Sequence, residues 1–157
     1  MAEEEATFAF DKAELSALFK AFKGMDEASI AQAKEVSGGL ASYLQGKIII
    51  AAQGRGQDAK AATRVAEGSR VKKSSKIGEL SIGFSSQRFS GGGTTQMLWA
   101  GNEFGSNKFH QFPIWSGKRG RGSNGWFIYP TLRREQPYIV REWEAGFQKI
   151  AGKWDSF

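Results

Sequence analysis

His110 is the only histidine of the chain, and there is no cysteine. Set between Phe109 and Gln111, it has no company of carboxylates or thiols with which to hold a metal or build a Ser-His-Asp relay. A surface or structural role is expected, with a subunit contact as its one alternative use. Gly120-Arg-Gly122-Ser-Asn-Gly125 matches G-x-G-x-x-G. That fingerprint needs a strand before it and a helix N-terminus after it, so that amides and dipole meet a pyrophosphate. Pro113 to Gly117 precedes it and an aromatic strand is expected to follow, so a flexible loop is the better account. Glu142 and Glu144, two apart, face different sides of a helix and cannot act as a pair. With no P-loop lysine and no serine in a nucleophile elbow, the chain reads as a non-enzyme without catalytic, metal or cofactor sites.

Two basic groups carry the remaining chemistry. One comprises Arg64, Arg70, Lys72, Lys73 and Lys76, the other Lys118, Arg119 and Arg121. Either they are solvated loop charge or they touch phosphate. Neither a recognition helix nor surface aromatics interleaved with bases is evident, so lining or rim contact with DNA is expected rather than sequence readout. The residues proposed for a DNA channel or its rim are Lys72, Lys73, Lys76, Lys118, Arg119 and Arg121.

Charge is uneven along the 157 residues. Positions 1–35 hold eight acids and four lysines, a net of −4, whereas the remainder carries +10. An acidic head on a basic body suits polyanion contact or electrostatically matched stacking of subunits. The length suits one domain, 1–157, with 1–25 an acidic helical extension and 26–157 the body. The longest apolar run, Ile48 to Ala52, is far below a membrane span, and Met-Ala-Glu-Glu-Glu is the opposite of a signal peptide's start, so a cytoplasmic site of synthesis is expected.

Periodicity supplies the elements. Leu15, Leu18, Phe19 and Phe22 form one helical face from about Asp11 to Gly24. Asp26 is a good N-cap for a long helix with Ile30, Ala33, Val36 or Ser37, Leu40, Leu44 and Ile48 on its stripe, sustained to about Ala52. Gly38-Gly39 within it marks a kink or a close approach of another backbone. A third helical piece is expected from Asp58 to Gly68. Glu79 to Phe84 alternates as a strand, Gly91 to Gly93 forms a tip, and Thr95 to Ala100 returns, giving a long hairpin. Trp126 to Tyr129 is expected as a third strand. Ile139, Trp143, Phe147, Ile150 and Trp154 mark a terminal helix with Pro137 in its first turn. The order predicts an α+β fold: helices, including a long one in the first half and one at the end, packed on a small, mainly antiparallel sheet.

The stretch from Trp99 to Leu132 reads as a docking surface at a sheet edge. Glu103, Phe104, Gly105, Phe112 and Trp115 are the residues expected at a subunit or partner interface, with Gly105 present because the turn needs a positive φ. Glu103-Phe104-Gly105-Ser106, followed by Phe127, Pro130 and Leu132 ahead of a terminal helix, resembles the neck or head–tail joining (tail-completion) proteins of long-tailed bacteriophages. The resemblance covers roughly residues 26 to 154. The loop from Ser116 to Gly125 is longer and more basic than the family layout, and the acidic extension precedes it. What the resemblance implies is a virion protein of the neck, assembled in the host cytoplasm. It would act as a homo-oligomeric ring, six subunits or a multiple, joining the DNA-filled head to the tail tube. Partners would be other copies of itself, head-completion or connector proteins, and tail terminator or tube proteins. Non-specific contact with genomic DNA would accompany these, and no membrane. A tail terminator ring and a stand-alone basic DNA-binding protein are the alternatives.

Overall fold

The computed structural model describes Gly24 and residues 27–54, 59–72, 79–115 and 122–154, the last four without their side chains. Apart from Gly24, the expected helix over 11–24, the acidic extension 1–25 and the Asp26 cap lie outside the described residues.

The first described element, α1 (Glu27–Gln53), is a single helix of 27 residues that runs through Gly38-Gly39 without interruption. Its buried stripe is Ala33, Ser37, Ala41, Leu44, Ile48 and Ala52, the three-and-four spacing of one helical face. The first half of that stripe is small, which lets the terminal helix come close. Gly146 of that helix sits where an added Cβ would lie 2.8 Å from Val36 Cγ1. The close approach thus falls at Gly146, while Gly39 itself has open space where a Cβ would stand.

After α1 comes α2 (Ala59–Glu67), which buries Ala62, Val65 and Ala66 against α1. Two short strands follow, β1 (Arg70–Lys72) and β2 (Glu79–Ser81). They pair antiparallel with Arg70 opposite Ser81, Val71 opposite Leu80 and Lys72 opposite Glu79. The class is α+β, as the sequence suggests, with four helices on a two-stranded antiparallel sheet among the described residues.

The expected return strand at Thr95 to Ala100 is instead part of helix α3 (Thr95–Phe104). Thr94 caps it, its hydroxyl accepting from Met97 N at 3.4 Å. The fully buried Thr95 hydroxyl lies 2.9 Å from both the Phe84 carbonyl and Gln87 Oε1, and accepts the Phe84 N–H at 2.9 Å. Strand-like pairing across the Gly91–Gly93 tip shrinks to one bridge, Arg88 with Thr94.

Trp126 to Ile128 is likewise not a strand. It turns directly into α4 (Tyr129–Trp154), so the helix begins at Tyr129 with Pro130 in its first turn, and Pro137 lies inside it. Leu44, Ile48, Ala52, Ala62, Val65, Ala66, Phe127 and Ile128 form the main core. At the other end of the α1–α4 pair, Ala33 and Ile150 are buried with Ile30, Trp143 and Phe147 around them, so these residues of the terminal stripe fall inward as their spacing indicates. The Trp154 side chain lies outside the described residues. Midway, Tyr43 of α1 donates to Glu135 Oε2 of α4 at 2.7 Å, and its ring lies 4.8 Å from that of Tyr138.

Candidate functional site

The amides that lead into a helix and those of its first turn lack partners within it, and α4 is no exception. Glu103, in the last turn of α3, supplies what they need. Its Oε2 accepts from Phe127 N and Ile128 N, both at 2.9 Å, and its Oε1 from Tyr129 N at 2.9 Å. The carboxylate thus caps a helix 24 to 26 residues away in sequence, where the helix dipole also favours negative charge. Gly125 makes room for it. With φ at 80°, it sits so close that an added Cβ would collide with Glu103 Oε1. Glu103 is fully buried. The expectation that it meets a neighbouring subunit is therefore corrected: it is an internal brace, out of reach of any partner.

Gly105 closes α3 with φ 78° and ψ −179°, its N–H bonded to the Gly101 carbonyl at 2.8 Å. That backbone region is essentially open only to glycine, so the expected positive φ is present. Phe104 is half-buried, its ring 6.3 Å from Trp99 and 5.4 Å from Tyr129. Since both neighbours belong to its own chain, truncating Phe104 would first remove packing between α3 and α4.

Residues 105–115 form a loop whose ends are tied. Ser106 N donates to the Pro113 carbonyl at 2.8 Å, and the Ser106 hydroxyl accepts from Lys108 N at 3.1 Å and Phe109 N at 3.0 Å. Phe112 is half-buried over Gly101, where a Cβ would come within 2.5 Å of its ring. Beside the polar Asn107, Lys108, His110 and Gln111, three large apolar side chains of the loop face outward: Phe109 is 50% exposed, Ile114 73% and Trp115 44%, with Met97 of α3 69% exposed. Of the expected interface residues, then, Trp115 is at the surface, Phe112 and Phe104 are half covered, and Glu103 is inside. Phe109, Ile114 and Met97 were not singled out from sequence. The only signal for them was large apolar residues amid Gly, Ser, Asn and Lys.

Among the basic residues expected near DNA, Lys72 is exposed on β1, directly opposite Glu79 of β2. Lys73, Lys76, Lys118, Arg119 and Arg121 lie outside the described residues. Helix α4, rather than a strand, follows the G-x-G-x-x-G segment. The amides that would hold a pyrophosphate there are taken by Glu103. His110 is exposed, and no group of three potential metal-ligating side chains occurs among the described residues. No described helix is long and apolar enough to cross a membrane.

The site thus defines an α+β protein that carries a hydrogen-bonded loop with apolar side chains facing outward, braced on a buried carboxylate. Comparison with family models, with curated proteins and with solved structures gave no match.

Proposed function

We propose that the chain is a structural subunit of a bacteriophage neck, forming a homo-oligomeric ring that joins the DNA-filled head to the tail tube. The observation that carries the reading is the exposed trio Phe109, Ile114 and Trp115 on a tied loop. Exposed aromatic and aliphatic side chains on an ordered support are what a protein interface uses as anchors.

The placement of the motif residues lends support. Glu103 binds the amide of Phe127, Phe104 packs on Tyr129, Ser106 ties the loop, and Pro130 and Leu132 open α4. Residues that carry the resemblance, from two separate stretches of sequence, thus lie in one bonded unit, which supports the reading. In a ring, each copy offers this loop to a different surface of the next, a heterologous contact that closes if the rotation closes. Six copies, or a multiple, is the number the resemblance suggests, with connector proteins above and tail terminator or tube proteins below.

The test is the triple variant Phe109→Ser, Ile114→Ser, Trp115→Ser, supplied in place of the wild-type protein during particle assembly. Its melting temperature is expected to stay within a few degrees of wild type while filled heads and finished tails accumulate unjoined. Normal joining by the folded variant would sink the proposal. A large loss of stability would show instead that the trio is core.

A further inference from the structure

A second surface, remote in chemistry from the apolar loop, is formed where α2, β1 and residues 84–94 meet. Arg64 Nη2 of α2 donates to the Arg88 carbonyl at 3.0 Å. Arg70 Nη2 of β1 donates to Ser86 Oγ at 2.6 Å, and the Arg70 guanidinium lies 3.9 Å over the Phe84 ring. Three arginines from three elements are thus gathered around one short segment, and all three are exposed. Lys60, one turn before Arg64, lines a shallow groove of about 380 Å³ together with Arg64, Thr63 and Glu67.

Nothing described neutralises these arginines. Among the described residues none of the three is within ion-pairing distance of a carboxylate, and residues 84–94 contain no Asp or Glu. Among the described residues Glu67 is the one acid on this face, since Glu79 is set against Lys72. Four cations against one anion, counted among those same described residues, leave an excess of three. The hydrogen bonds to Arg88 and Ser86 and the stacking on Phe84 hold two guanidiniums in place while using few of their five donors. Exposed Ser85, Ser86, Ser90 and Gly91 add small neutral donors between them.

We propose that this corner binds the phosphate backbone of duplex DNA, with Arg64, Arg70 and Arg88 as its contacts and Lys60 at its margin. A protein partner is the less suited occupant. None of the exposed large hydrophobics lies on α2, β1 or residues 84–94, and protein interfaces draw their affinity from such anchors. Backbone phosphate binding needs only placed cations and small donors, and it reads no sequence. The inference does not rest on the neck reading, because the surface would act the same way in a chain that joins nothing.

Fluorescence anisotropy with two unrelated labelled duplexes of 30 base pairs tests it, across salt from 50 to 200 mM. Each phosphate contact contributes a slope of about −0.9 in log K against log salt, so three arginines account for roughly a 40-fold weakening over that range. Wild type is expected to bind both duplexes alike, and Arg64→Gln, Arg70→Gln, Arg88→Gln together to flatten the slope by about three. Lys108→Gln, Arg141→Gln, Lys149→Gln removes equal charge elsewhere and is expected to leave the slope nearly unchanged. Should the first triple fail to fold, Arg88→Gln alone, whose side chain has no hydrogen bond among the described residues, is expected to lower the slope by about one. Absence of wild-type binding at 50 mM salt, an unaltered slope in the arginine variants, or an equal loss in the control triple overturns the proposal. So does tighter binding of a peptide with the sequence of residues 1–9, which would assign the surface to the acidic end of a chain.

Discussion

Replacing Glu103 with alanine removes three hydrogen bonds at once and leaves the amides of Phe127, Ile128 and Tyr129 facing an emptied site. A buried donor without a partner costs about 1–3 kcal/mol. Water admitted to the space left by the side chain would recover part of this, so the three together come to about 4 kcal/mol rather than the upper sum. Domains of this kind hold only about 5–15 kcal/mol in total. At about 2–4 °C per kcal/mol for a chain of this size, the melting temperature is expected to fall by about 8–16 °C. Glu103→Gln keeps one acceptor oxygen. Placed where Oε2 was, that oxygen still serves Phe127 and Ile128 but turns an amide donor toward Tyr129 N, for a loss of about 1–3 kcal/mol. Thermal melts followed by circular dichroism give the magnitudes, and hydrogen exchange gives the location. Amides 127 to 129 should lose protection in the alanine variant more than those of α1. A melting temperature within 2 °C of wild type, or unchanged exchange at those three amides, would refute the clamp.

Gly101→Ala places a Cβ 2.5 Å from the Phe112 ring and is expected to destabilise by about 1–3 kcal/mol, although alanine is normally the better helix residue. With Phe112→Ala in the background the sign should reverse, to a gain of up to about 1 kcal/mol; equal effects in both backgrounds, measured by urea unfolding, would show that the ring does not rest there. The Tyr43 hydroxyl, followed by Arg134 and Lys47, holds the Glu135 carboxyl below its ordinary value of 4.5 against the opposing pull of burial, and the same hydrogen bond raises Tyr43. A lowered folded value means that the unfolded chain binds more protons in that window, so this stabilisation is present above pH 4.5 and is lost as pH falls through the lower folded value. Tyr43→Phe should therefore show a shallower loss of stability below pH 4.5 than wild type, and identical acid limbs would contradict the linkage.

The long helices were legible because their information is local. The stripe through Ala33, Leu44, Ile48 and Ala52 repeats with the helical period, as does that through Trp143, Phe147 and Ile150. Ala33 and Ile150 meet each other, while Leu44, Ile48 and Ala52 pack on α2 and on Phe127 and Ile128. Gly105 was legible for the same reason, since a helix that stops in a turn needs a backbone that only glycine adopts freely. Trp115, expected at a partner interface, is 44% exposed and so open to one. The sequence also determined the α+β class, through the order of its periodic segments.

Tertiary structure alone decided the rest. Thr95 to Phe104 is a short segment whose apolar residues fit either period. It becomes a helix because Thr94 caps it and the buried Thr95 hydroxyl fastens its start to Phe84 and Gln87. Trp126 to Tyr129 has the composition of a strand, but a strand needs its amides for a ladder, and three of these are bound by Glu103. That bond also moved Glu103 from an expected surface contact to the interior. A carboxylate is ordinarily kept outside by its hydration, and only an array of converging amides compensates for losing it. Those amides come from 24 to 26 residues further along the chain, beyond the reach of any local spacing. The grouping of Arg64, Arg70 and Arg88 has the same origin, for α2, β1 and the segment after Phe84 meet only once the chain has folded around α1.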